Sequence, residues 1–162
     1  MQLIIEIIIA LILATGIYYV IHRMTVKRAI KIVQKNAQSE TDRAVREISP
    51  ELVKLGLSNQ TEPPLSSELV ADVWGRGVMA FEYTFDVAEE PSGNQLDQIQ
   101  VLMDTALLHY AHDHQIEGYL ETTPFLVTDT WVYEDRVHVD VAYLMNEATI
   151  EYVKDLRRLK SN

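Results

Sequence analysis

The sequence predicts an α+β protein. An N-terminal transmembrane helix continues into a basic amphipathic stem, and a small α-β-α-β-β-α domain with an antiparallel sheet follows. Three observations predict this. Residues 3–21, LIIEIIIALILATGIYYVI, carry a single charge, Glu6. Helical and strand periodicities succeed one another after residue 65. Charge is segregated: residues 1–20 carry -1, residues 21–48 carry +4 and residues 49–162 carry -13, which accounts for the net -10. The chain of 162 residues, 48% apolar and 23% charged, suits one ordinary domain with an anchor.

The first element is the apolar run. As a helix, residues 3–21 span about 28 Å, close to the hydrocarbon thickness of a bilayer. Tyr18 and Tyr19 fall at one end, where interfacial aromatics belong. A secretory signal would need a basic n-region, but only Met1 and Gln2 precede the run. The segment is therefore read as an anchor over residues 1–21. Glu6, Ala10 and Ala14 lie at i, i+4 and i+8, so they share one helical face. Small residues beside a carboxylate form a candidate contact face for another membrane helix; an interfacial Glu6 reaching the headgroups is the plainer reading.

The stem covers residues 22–48 and contains neither Pro nor Gly. Arg23, Lys27, Arg28, Lys31 and Lys35 follow the apolar run and are read as facing lipid headgroups. By the positive-inside rule they place the N-terminus outside and the distal domain in the cytoplasm, at the cell membrane. Val26, Ile30, Val33 and Ala37 form a heptad-like seam, so residues 1–48 are also a candidate coiled-coil or homo-oligomer contact. Residues 49–64, with Pro50, Pro63 and Pro64, read as a linker.

The distal domain is expected over residues 65–162. Glu68 to Trp74 reads as a short helix, and Val78 to Val87 as a half-buried strand with Glu82, Thr84 and Asp86 on its polar side. Gln95 to Ala111 is the strongest helix. Phe125 to Tyr133 and Val137 to Leu144 form a hairpin around Glu134-Asp135-Arg136, and Ala148 to Lys160 closes the domain as a helix. Helices are expected on one face of the sheet. A fourth strand near Glu117 to Leu120 is an open alternative.

Candidate chemistry is sparse. The absence of cysteine excludes a disulfide scaffold, a cysteine nucleophile and Cys-ligated metal sites. His109, His112, Asp113 and His114 are the only weak metal candidates, with His138 as a distant addition. Histidines at a helix C-terminus need no metal, so no cofactor is expected. Trp74-Gly75-Arg76-Gly77 lacks the Lys-Ser/Thr ending of a phosphate loop. Glu89 and Glu90 read as solvated loop residues. Trp131, Tyr133 and Tyr143 are expected mainly in the core, with an exposed recognition surface as the alternative. No nucleophile arrangement is found, and no enzymatic activity is expected. The acidic domain disfavours nucleic acid, and a protein within a membrane complex is the expected partner. The first reading is thus a membrane-anchored accessory or scaffold subunit; a membrane-tethered metal-dependent enzyme or sensor using the His109 and His112 cluster is an alternative.

The first 48 residues resemble the N-terminus of type IV pilins and pseudopilins, through LIIEIIIALILA with its early Glu6 and the long helix behind it. That resemblance implies an antiparallel sheet behind the helix and an extracytoplasmic head. Counted from Met1, Glu6 stands one place late, no basic leader precedes it, and the stem cations predict the opposite side of the membrane.

Overall fold

A computed structural model describes residues 2–58, 67–70 and 77–160. It is an α+β structure with a long N-terminal helix and an antiparallel sheet. By contacts the chain divides into two units, residues 1–35 and 36–162.

One helix, α1 (Gln2–Lys54), runs from the apolar segment past the expected stem. With no glycine between Gly16 and Pro50, nothing in the intervening sequence breaks it. In the first unit every described side chain from residue 4 to residue 29 is exposed. The helix is long and apolar enough to cross a membrane.

In the second unit, the remainder of α1 is core. Ala37, Ala44, Val45, Ile48 and Leu52 are buried at i, i+3 and i+4 steps, forming one stripe. The expected seam therefore ends at Ala37, which this unit covers itself. The expected linker begins inside α1: Pro50 lies exposed within the helix, and buried Leu52 anchors the turn beyond it. Proline removes only one hydrogen bond near a helix end, so packing outweighs it there.

The sheet contains β1 (Leu57–Ser58), β2 (Glu68–Leu69), β3 (Ala80–Val87), β4 (Phe125–Tyr133) and β5 (Arg136–Tyr143). All pairings are antiparallel; the order is β1-β3-β5-β4, with β2 also on β3. Glu68 and Leu69 were expected in a helix but pair with Glu82 and Phe81. The rest of that expected helix lies outside the described residues. Residues 119–121 form a 3-10 turn where a fourth strand was the alternative; Leu120 and Glu121 have positive φ there, which a strand does not accommodate.

Two helices cover the inner face. Phe81, Tyr83 and Phe85 of β3 and Val137, Val139 and Val141 of β5 pack with α1 and with α2 (Gly93–Asp113). From α2 come Ile99, Met103, Leu107 and Tyr110. Gln95 Oε1 accepts from the Ser92 N–H at 2.8 Å, closing the start of α2. The inner face also holds a polar tie: Asp42 of α1 accepts from the Tyr83 hydroxyl at 2.9 Å and the Ser67 hydroxyl at 2.6 Å. Burial and the Asp42 charge push the Tyr83 phenol well above its ordinary range.

Helices lie on both faces, rather than the single face expected from sequence. α3 (Glu147–Lys160) packs Tyr152 and Val153 against Ala80, Ala142 and Leu144, on the opposite side of the strands. Asn146 fixes its start, accepting from the Thr149 N–H at 2.8 Å and donating to the Gly77 carbonyl at 2.8 Å.

β4 contains the register break that matters most. Val127 pairs with Val141, but Asp129 pairs with Asp140, leaving Thr128 as a bulge. Beyond it Thr130 and Val132 oppose Val139 and Val137 on the inner side, so Asp129, Trp131 and Tyr133 turn outward. β4 is also an edge strand. Asp104 of α2 accepts from the Val127 N–H at 2.7 Å, Gln100 donates to the Val127 carbonyl at 3.3 Å, and Lys160 donates to the Thr128 carbonyl at 3.0 Å.

Candidate functional site

The richest polar arrangement lies on the outer face of the sheet, where the C-terminal end of α3 reaches it through Lys160. Three carboxylates sit side by side on three neighbouring strands. Glu82 of β3 and Asp129 of β4 each pair directly with Asp140 of β5. Directly opposed like charges are unfavourable, because their Cβ atoms stand only about 5 Å apart. Two cationic or protonatable groups compensate the ends of the row. His138 Nδ1 lies 2.6 Å from Glu82 Oε1, and Lys160 Nζ lies 2.8 Å from Asp129 Oδ1.

The middle of the row is uncompensated. Asp140 is only 7% exposed, and its Oδ1 is buried without a hydrogen-bond partner. Burial first, then the charges of Glu82 and Asp129, push its carboxyl up to about 7; His138 and Lys160 pull in the opposite direction. Asp140 is thus divided between a proton and a negative charge near neutrality. The nearby Tyr152 phenol is pushed up to about 12, mainly by burial and by the charge of Asp140.

Aromatic rings line the next row. Trp131 stacks on His138 with centroids 5.2 Å apart, and Tyr133 meets the same imidazole edge-on at 6.0 Å. Trp131 is half-buried and Tyr133 is 59% exposed. Only Tyr143 of the three expected core aromatics is buried; it stacks on Phe125 at 4.9 Å. The bulge explains the split, since it turns Trp131 and Tyr133 away from the face that Phe125 occupies.

The histidine cluster does not converge. His112 and His109 are exposed on α2, and His112 approaches only its neighbour Asp113, at 3.4 Å. His114 stacks on Tyr110 and reaches Glu47 of α1 at 3.0 Å. His138 belongs to the opposite face of the sheet from α2, so no ligand set including it can form. Among the described residues no group of three or more His, Cys, Asp or Glu is placed to hold a metal ion.

The remaining candidates are simply located. Glu6, Ala10 and Ala14, and Arg23, Lys27, Arg28, Lys31 and Lys35, are all exposed along α1. None of those five cations pairs with a carboxylate among the described residues. Glu89 and Glu90 are exposed after β3. Trp74, Gly75 and Arg76 lie outside the described residues, as do Pro63 and Pro64.

Sequence reasoning did not single out Glu82, Asp129 and Asp140. Glu82 and Asp140 stood at polar positions of alternating strands, but Asp129 joins them only through the bulge at Thr128 and the pairing register. No family model, curated protein or solved structure matches the chain.

Proposed function

We propose that the protein is a membrane-anchored accessory or scaffold subunit whose acidic α+β domain binds a protein partner. One observation carries this reading. α1 exposes every described apolar side chain of its N-terminal stretch, with Ile12 at 66% and Tyr18 at 68%, while residues 37–52 of the same helix supply core. So large a continuous apolar surface needs an apolar environment, and its length fits a bilayer. The exposed cations from Arg23 to Lys35 suit anionic headgroups and favour a cytoplasmic domain. The distal charge of -13 favours a protein over phosphate-bearing partners. Tethering raises local concentration, so a modest affinity suffices for assembly. Homo-oligomer contacts through residues 1–48 remain compatible along Glu6, Ala10 and Ala14, but not at Ala37, which is already buried.

A second reading is an extracytoplasmic pilin-like or secretion-system subunit. It is favoured by α1 being one uninterrupted helix that ends against an antiparallel sheet. The two readings differ in sidedness. A C-terminal reporter active only in the cytoplasm should be active under the first reading and silent under the second. Recovery of the full chain in the soluble fraction, without detergent, would refute both.

A further inference from the structure

The outer sheet face has an unusual imbalance. α3 packs on it over Ala80, Ala142 and Leu144 and ends with Lys160 on Asp129. The same face presents Glu82, Asp129 and Asp140 in a row, with Trp131 and Tyr133 beside it. Lys160 satisfies Asp129 and His138 satisfies Glu82, but Asp140 Oδ1 has no donor. Buried polar atoms are almost always hydrogen-bonded, so an orphan acceptor at the centre of an acidic row calls for a proton, or for a donor admitted when Lys160 leaves Asp129.

We propose that the exposed rim of this face, Glu82 and Asp129 beside Tyr133, docks an arginine- or lysine-bearing segment of a partner protein. The inference rests on the protein-binding reading above and names the chemistry of its partner. A guanidinium offers five N–H donors in a planar fork and is less strongly hydrated than an ammonium, so it fits paired carboxylates best. The exposed Tyr133 ring and the half-buried Trp131 ring add faces on which a cation can rest. Lys160 is the resident cation at the site, and an incoming side chain competes with it for Asp129. Nucleic acid and anionic lipid bring the wrong charge to this face.

The test uses the full chain in nanodiscs of zwitterionic lipid and a fluorescent Arg-Gly-Arg-Gly-Arg peptide, read by anisotropy. Glu82→Gln with Asp129→Asn should weaken binding about tenfold. Glu117→Gln with Glu121→Gln removes equal charge from a distant loop and should change binding less than about twofold. Lys160→Gln should tighten binding about threefold, an increase that a misfolded variant does not give. Equal losses in the two double variants, equal binding of a Gly-Ser peptide, or no gain in Lys160→Gln would overturn the proposal. A photo-crosslinker at Tyr133 that captures a second copy of the chain instead of the peptide would also overturn it. The underlying reading is tested separately by crosslinkers placed across the domain in cells. Capture of partner proteins only from positions away from Tyr133 refutes this face and leaves the protein-binding reading standing. Capture from no position refutes the reading itself.

Discussion

Removing residues 1–35 and removing residues 1–48 should give opposite outcomes. The two truncations differ by thirteen residues, 36–48, which include Ala37, Ala44, Val45 and Ile48, all at or below 6% exposure. Burying a Val or Ile side chain stabilises a fold by about 1.5–3 kcal/mol, and an alanine methyl adds about 0.8 kcal/mol. The lost stripe alone is therefore worth on the order of 5–7 kcal/mol. Its removal also uncovers the inner sheet face and takes Asp42 from the Tyr83 hydroxyl. A domain of this size is stable by about 5–15 kcal/mol, so the 49–162 fragment keeps little or none of that. The 36–162 fragment retains every buried side chain of α1. Urea denaturation of both, followed by near-UV circular dichroism, measures the difference. A 49–162 fragment that unfolds cooperatively within about 1 kcal/mol of 36–162 would refute the assignment of α1 to the core.

Three further outcomes follow from the geometry. The Asp140 carboxyl titrates at about 7 when folded against 3.8 ordinarily, so the folded state holds more protons between those values. Its contribution is fully favourable below the lower value and is lost as pH rises through the upper one. Asp140→Asn should therefore flatten the fall in stability across that window and gain a few kcal/mol at pH 8; a loss at pH 8 would count against the orphaned carboxylate. A methyl at Gly118 would strike the Thr122 carbonyl oxygen, so Gly118→Ala should cost about 1–3 kcal/mol in a thermal melt, and an unchanged Tm would show that the 118–122 turn is not as described. Glu134 and Asp135 both hold positive φ in the two-residue hairpin turn, where Asn-Gly is preferred. Glu134→Asn with Asp135→Gly should raise stability by about 1 kcal/mol by calorimetry, and any decrease would argue against this turn type.

Local pattern was the most legible part of the chain. α2 and α3 were expected over Gln95 to Ala111 and Ala148 to Lys160, and they form over Gly93–Asp113 and Glu147–Lys160. Their apolar stripes repeat at helical spacing and face a single core each, so periodicity suffices. β3 and β5 alternate without interruption and were equally clear. The reach of α1 was not. Pro50 and the prolines after it marked a linker, but Leu52 lies just beyond Pro50 and packing carries the helix through.

The candidate site was illegible for a different reason. In an uninterrupted strand Phe125, Val127, Asp129 and Trp131 would share one face. One extra residue at Thr128 sends the second pair to the other side. A bulge has no composition of its own here, and it is visible only when β5 is laid alongside. The acidic row depends on two such registers, so it emerges from pairing rather than from any stretch of sequence. The histidine cluster had the reverse fate: adjacent in sequence, its members point to Glu47, to Asp113 and to solvent.

The capped edge of β4 bears on how densely this chain can be packed. Molecules held on a two-dimensional surface meet edge to edge far more often than they do in solution, and an open strand edge is then a template for runaway polymerisation. Asp104 and Gln100 occupy the N–H and carbonyl of Val127, and Lys160 occupies the carbonyl of Thr128. A second strand would therefore have to displace these side chains to pair at the middle of that edge. If the proposed anchoring holds, crowding along a membrane would bring such domains into contact without letting their sheets fuse through β4.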